Sequence, residues 1–403
     1  MRPTRLLVIV AGACSAVVVG RDGSLVWVIV RVLVVVALTH GTVVAISRGG
    51  ARVGSGVTLG FGALVCAYGV GVVAPLLAQD GRSLDSVLAL TAAGLGLVLV
   101  VVGAVRFVST FGSWARLGAL AGVCAGLYVV LGLVTTTVEV TNVPRAHLGA
   151  ESPADRGIAF ESVHFPASDG VRLAAWFVPP QNGAVVVLLA DAATTRSAVL
   201  DDADVLAHLG YGSLLFDPRG QGESAGRAMA LGWQAERDAA GALRYVSTRP
   251  EVAAGRVFVL GTKTGGAAAL ASVDQPRVCG VVAEDVTERV TADRGWLAHE
   301  EGVVGWFRWR AESFRFALAA LLTGDPAPGS MRAGVVNAAR HRALLIASRG
   351  DPGGVAVARY VAAASPRTVE VWVAPGTAAG RVVDARRAEW IQRVGDFLAS
   401  ATC

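Results

Sequence analysis

Gly261-Thr262-Lys263-Thr264-Gly265 is the stretch of this 403-residue chain with the clearest chemical suggestion. It lies between an aliphatic run, 256–260, that reads as a strand and an alanine-rich run, 266–273, that reads as a helix. A sharp, glycine-flanked turn from strand to helix is the setting of G-x-S-x-G, which lifts a nucleophile clear of its own backbone. Both glycines are present, but the central position carries Lys263, the only lysine in the chain. Lys263-Thr264-Gly265 also spells K-T-G, whose partner motif S-x-x-K needs a second lysine, so that reading fails. A phosphate-binding P-loop needs glycine just before the lysine, and Thr262 stands there. Three readings of Lys263 stay open: an ion pair with Asp191 or Asp351, an anion-binding cation, and a desolvated Schiff-base nucleophile.

Other nucleophiles are less well placed. Thr262 and Thr264 flank the turn without a nearby base, and Ser224 lies in a glycine-rich loop. Cys279 falls within an aliphatic run, Cys403 is terminal, and Cys14, Cys66 and Cys124 lie in long apolar stretches. His164 and His208 read as surface or turn residues, and no histidine follows His341. No His or Cys pair has metal-ligand spacing, and no cofactor is implied.

The elements that must position this turn follow a clear rhythm. Runs 161–165 and 171–177 alternate around Ser168-Asp169-Gly170 as a hairpin. Aliphatic runs 184–190, 212–217, 256–260, 279–283, 343–348 and 368–374 then alternate with helical stretches such as 198–209 and 231–246. Strands alternating with helices imply a mostly parallel sheet covered on both faces.

With these residues in place, 155–403 resembles an α/β-hydrolase. Phe216-Asp217-Pro218-Arg219-Gly220-Gln221-Gly222-Glu223-Ser224 is similar to that family's D-x-R-G-x-G-x-S stretch after the fourth strand. Residues 182–187 with Thr195-Arg196-Ser197 resemble its third strand and following loop, and 371–376 its last strand. The nearest likeness is to bacterial multi-pass membrane proteins with a prolyl-oligopeptidase-like or dienelactone-hydrolase-like domain.

That resemblance implies three catalytic positions. The nucleophile position is Lys263, the acid is Asp351 after the seventh strand, and the histidine position is about Ala379, in Pro375-Gly376-Thr377-Ala378-Ala379-Gly380. The oxyanion loop after the third strand reads Ala190-Asp191. Acyl transfer needs a hydroxyl or thiol, a base and oxyanion donors, and the first two are missing. Asp191 puts a charge where negative charge must develop. At about 4 Å and an effective dielectric near 20 that repulsion is about 4 kcal/mol, roughly a thousandfold in rate. The resemblance also implies cap helices at about 286–338, where Trp296, His299, Trp306 and Trp309 are expected to pack the cap onto the sheet.

The first 140 residues have a different character. The chain as a whole is 53% hydrophobic and 17% charged, against about 25% charged for soluble domains. Apolar runs 6–20, 25–46, 56–77, 86–107 and 117–138 give about five spans, the first of them short. The Ala11-Gly12-Ala13-Cys14 stretch hints at a lipoprotein cleavage site, but Ala11 stands where a bulky aliphatic residue belongs. This part holds nine arginines and four acids, 9 − 4 = +5, which is the whole net charge of the chain. Basic residues set between apolar runs read as topology, not as a nucleic-acid surface. Arg2, Arg5, Arg48, Arg52, Arg106 and Arg116 fall on one side, expected to be cytoplasmic, which places the part after the fifth span outside. Arg31 is expected to snorkel to the interface, and His40 to face the bundle.

The expectation is therefore a membrane bundle (1–140), a linker (141–156) and an α/β-hydrolase domain (157–403) in a bacterial plasma membrane. The domain lacks a working triad and acts by binding a small molecule, a lipid or a protein. The alternatives are an active hydrolase with a non-standard site and a transport role for the spans, the latter disfavoured by the scarcity of intramembrane charge.

Overall fold

The computed structural model of the chain describes residues 3–21, 24–80, 82–275, 277–337, 341–376 and 381–401. They fall into two compact units, one of residues 1–144 with 314–325, the other of 145–313 with 326–403.

The first unit holds α1 (Pro3–Val19), α2 (Leu25–Arg48), α3 (Ala51–Asp80), α4 (Leu84–Ser109) and α5 (Ser113–Thr141). By length and composition α2 to α5 can each cross a membrane, while α1 is apolar but shorter. Small residues let α3 and α4 approach closely, as is usual between helices that gain nothing from excluding water. A Cβ on Gly96 would lie 2.5 Å from the Cys66 nitrogen, and one on Gly62 2.8 Å from the Leu99 Cβ.

Arg31 does not snorkel. It is buried, its Nη1 donating to the Leu322 carbonyl at 2.5 Å and its Nε to the Trp27 carbonyl at 3.1 Å. Carbonyls at the end of a helix suit a cation because the helix dipole is negative there, and Leu322 closes a helix that the sequence places in the cap. His40, expected to face the bundle, is exposed.

The second unit runs β1 (Glu161–Pro166), β2 (Arg172–Val178), β3 (Val185–Leu189), α6 (Leu200–His208), β4 (Gly212–Phe216), α7 (Ala235–Val246), β5 (Val257–Thr262), α8 (Thr264–Ala271) and β6 (Val278–Glu284). Then come α9 (Trp296–Glu300), α10 (Gly302–Thr323), α11 (Met331–Asn337), β7 (Arg342–Ser348), α12 (Pro352–Ala362), β8 (Val369–Ala374), α13 (Val382–Ala385) and α14 (Arg387–Ser400). The eight strands form one sheet in the order β1-β2-β4-β3-β5-β6-β7-β8. β2 is antiparallel to both β1 and β4, and the remaining pairs are parallel. β3 to β7 are almost wholly buried, as aliphatic strands covered on both faces must be. The two faces carry separate apolar cores, with Phe177, Val187 and Leu270 in one and Leu188, Phe258 and Trp390 in the other. The helices α9, α10 and α11 fall between β6 and β7, but the second half of α10 clusters with the helical unit.

Candidate functional site at the strand-to-helix elbow

β5 runs straight into α8 through Lys263, whose φ of 52° and ψ of −116° lie outside the regions an L-residue ordinarily visits. The glycines permit it. A Cβ on Gly261 would stand 2.3 Å from the Gly265 carbonyl oxygen, and one on Gly265 would stand 2.2 Å from the Leu189 carbonyl oxygen. The Lys263 N–H donates to the Glu284 carbonyl at 2.9 Å, tying the turn to β6. Its side chain is exposed at the carboxyl ends of the parallel strands. Asp285, directly after β6, is the other non-glycine residue with positive φ among the described residues, at 46°. Strained backbone of this kind gathers at sites built for a task.

A cavity of about 100 Å³ opens beside Lys263, lined also by Asp191, Thr194, Glu284, Asp285 and Arg381. The ion pair expected between Lys263 and Asp191 or Asp351 is not formed among the described residues. The Thr264 hydroxyl donates to Asp191 Oδ1 at 2.6 Å and accepts from the Ala192 N–H at 2.9 Å. Asp285 accepts from both the N–H and the hydroxyl of Ser348, each at 2.7 Å. Glu284 is buried and accepts from the Val382 N–H and the Trp390 indole. Burial, reinforced by repulsion from Asp202, pushes its carboxyl up to about 8, against the pull of those two donors. Asp202, also buried, is raised to about 6 by desolvation although Arg381 Nη2 lies 2.8 Å away.

No family model matches the chain. Uncharacterized protein YfhR of Escherichia coli O157:H7 is 32% identical over 121 residues, 28% of this chain and 42% of that protein. Uncharacterized protein Rv2307c of Mycobacterium tuberculosis is 33% identical over 121 residues, 29% of this chain and 41% of its own length. The chain thus spans about two fifths of the length of these relatives. An esterase of Pyrococcus furiosus superposes with a TM-score of 0.51 at 22% identity, covering 65% of this chain and 98% of the esterase. The C-terminal unit has the α/β-hydrolase fold.

Within the hydrolase fold the sequence-read positions separate. Gly261, Thr262, Lys263, Thr264 and Gly265 form the elbow, and Ala190 and Asp191 begin the loop after β3 where an oxyanion donor belongs. Asp351 instead caps α12, accepting from the Gly354 N–H at 3.1 Å, and is not among the residues lining the cavity. The histidine position, about Ala379, lies outside the described residues. Among the described residues no histidine lines the cavity: His164 is exposed on β1, His208 ends α6, and His341 immediately precedes β7. Cys279 is disulfide-bonded and so offers no thiol. Trp296 and Trp309 bond Glu288 and the Thr291 carbonyl through their indole nitrogens, whereas Trp306 is 48% exposed and does not pack as expected.

Ser224 is scaffold: its hydroxyl donates to the Asp217 carbonyl at 2.7 Å and accepts from the Ala174 N–H. Asp217 accepts from Arg196 Nη1 at 2.7 Å, and Arg219 bridges Asp238 and Asp169 at 2.6 and 2.8 Å. Besides Asp191, two further carboxylates reach the elbow: Glu284, the last residue of β6, and Asp285, which follows it. An acidic pair at the end of a buried strand was the available signal.

Proposed function

We propose that this chain is a multi-pass protein of a bacterial plasma membrane whose hydrolase-fold domain lies outside the cytoplasm and binds a ligand without hydrolysing it. The observation that carries this reading is Lys263 at the elbow. An ammonium there supplies neither the hydroxyl or thiol nor the base that acyl transfer requires. A second observation agrees with it. The Ala192 N–H, in the loop that would supply an oxyanion donor, is taken by the Thr264 hydroxyl, and Asp191 stands beside it. A donor already engaged does not stabilise a developing oxyanion. The membrane placement rests on the apolar helices and on the bacterial relatives; the orientation rests on the six arginines gathered on one side.

Hydrolysis of short-chain p-nitrophenyl esters by the full chain in detergent micelles tests the central claim, with Lys263→Ala alongside and a fluorophosphonate label for any activated serine. Neither protein is expected to turn over ester faster than buffer or to take the label. Turnover lost in Lys263→Ala would put the lysine into the reaction. Turnover that survives with labelling would reveal a hydroxyl nucleophile elsewhere, and either result overturns the reading. The competing account, an active esterase with a non-standard site, draws on the intact elbow backbone. For orientation, an alkaline phosphatase fusion after residue 401 is expected to be active, and an inactive fusion at normal expression would reverse it.

A further inference from the structure

Among the described residues lining the cavity beside the elbow, one charged group has no side-chain partner. Lys263 makes no side-chain hydrogen bond as the cap of α8, and among the described residues its ammonium has no ion-pair partner. Every other charged residue lining the same space is engaged. Arg381 holds Asp202, Asp285 holds Ser348, and Asp191 holds Thr264. Glu284 is bonded to Val382 and Trp390, and burial keeps it largely uncharged at pH 7.

We propose that this cavity is a binding site for a short-chain monocarboxylate, its carboxylate seated on the Lys263 ammonium. The inference deepens the proposed function and rests on reading Lys263 as a binding group, not a reacting one. The volume of about 100 Å³ suits a small ligand. Ala198 gives a short alkyl tail an apolar wall, and Thr194 and Thr262 line the polar remainder. Charge selects the class through desolvation: the cost of taking an anion out of water grows with the square of its charge, whereas its attraction to one ammonium grows only linearly, so a single carboxylate is favoured over a doubly charged phosphate. A charge-assisted contact of this kind is the main source of affinity for so small a ligand.

The sole lysine makes the test direct. Reductive methylation with ¹³C-formaldehyde marks Lys263 and the chain's amino terminus, so the full chain in detergent micelles shows one dimethyl-lysine resonance. Sodium propionate at pH 7 and constant ionic strength is expected to shift that resonance saturably at millimolar concentration, while sodium chloride produces no saturable shift. In unmodified protein, propionate is expected to raise the melting temperature. Lys263→Met should weaken that response about tenfold or more, and Lys263→Arg should keep it within a few-fold. No saturable shift, an equal response to chloride, or half-saturation by phosphate at lower concentration than propionate would each overturn the proposal. Ester turnover measured on the same preparation separates the two claims. Binding with turnover leaves the carboxylate site standing and sinks the non-hydrolytic reading; neither binding nor turnover sinks the site alone.

Discussion

Two turns at the carboxyl ends of β4 and β5, parallel strands on either side of β3, are held in different ways. After β4, the loop from Asp217 to Ser224 is held by its side chains: Asp217 to Arg196, Arg219 to Asp169 and Asp238, Ser224 to two backbone groups. After β5, the elbow is held by its backbone. The two glycines and the Lys263 N–H fix its shape, and the Lys263 side chain contributes no bond among the described residues. A loop built from side chains cannot change its residues and stay folded. A turn built from main chain can exchange the residue at its apex, so a hydrolase fold can lose its nucleophile and keep its elbow.

The sharpest way to break this comparison is Arg219→Met. It strands the buried Asp238 and the half-exposed Asp169, and is expected to cost about 3–5 kcal/mol, read as a large fall in the domain's melting temperature. A loss below 1 kcal/mol would mean that the loop after β4 is not held by its charges. Gly265→Ala comes next, because the new Cβ has no room beside the Leu189 carbonyl, and about 2–3 kcal/mol is expected. Lys263→Ser at the apex should change stability by less than about 0.5 kcal/mol; a larger loss would show that the lysine side chain supports the turn after all.

A fourth measurement concerns pH. Glu284 titrates near 8 in the folded chain against an ordinary value of 4.5, so the folded state binds the extra proton. Its contribution is complete below about pH 4.5 and is lost as pH rises toward 8, with a slope on the order of 1 kcal/mol per pH unit. Glu284→Gln should flatten the fall in melting temperature between pH 5 and 8, and parallel curves for the two proteins would remove Glu284 as its source. A modest gain is expected from Lys263→Gly, which relieves the positive φ and should stabilise the domain by about 1 kcal/mol; destabilisation would argue that the strain is not at Lys263.

Much of this fold was legible because buried parallel strands have to be aliphatic, and each such run in the sequence became a strand. The elbow was legible because only glycine fits where Gly261 and Gly265 stand. What sequence could not show was partnership. Asp191 and Lys263 carry opposite charges near one turn, which suggested an ion pair, yet the Thr264 hydroxyl, one residue further along, takes the carboxylate. Asp351 had the right place after β7, but capping α12 uses its side chain. Glu284, Asp202 and Arg381 meet from three distant stretches, and no local spacing announces such a meeting. Arg31 was misjudged for the same reason, since the carbonyl it bonds lies 291 residues away.

That last contact has a consequence for biosynthesis. The helical unit is discontinuous: residues 1–144 leave the ribosome first, and the segment 314–325 that completes it follows 314 − 144 = 170 residues later. At the usual 5–20 residues per second, that interval is on the order of 10–30 s. Through it, Arg31 waits without the Leu322 carbonyl, and six of the sheet's eight strands, β1 to β6, are translated before the segment arrives. Cutting the gene at residue 144 would separate neither unit cleanly, because the bundle's final piece travels inside the other half of the chain.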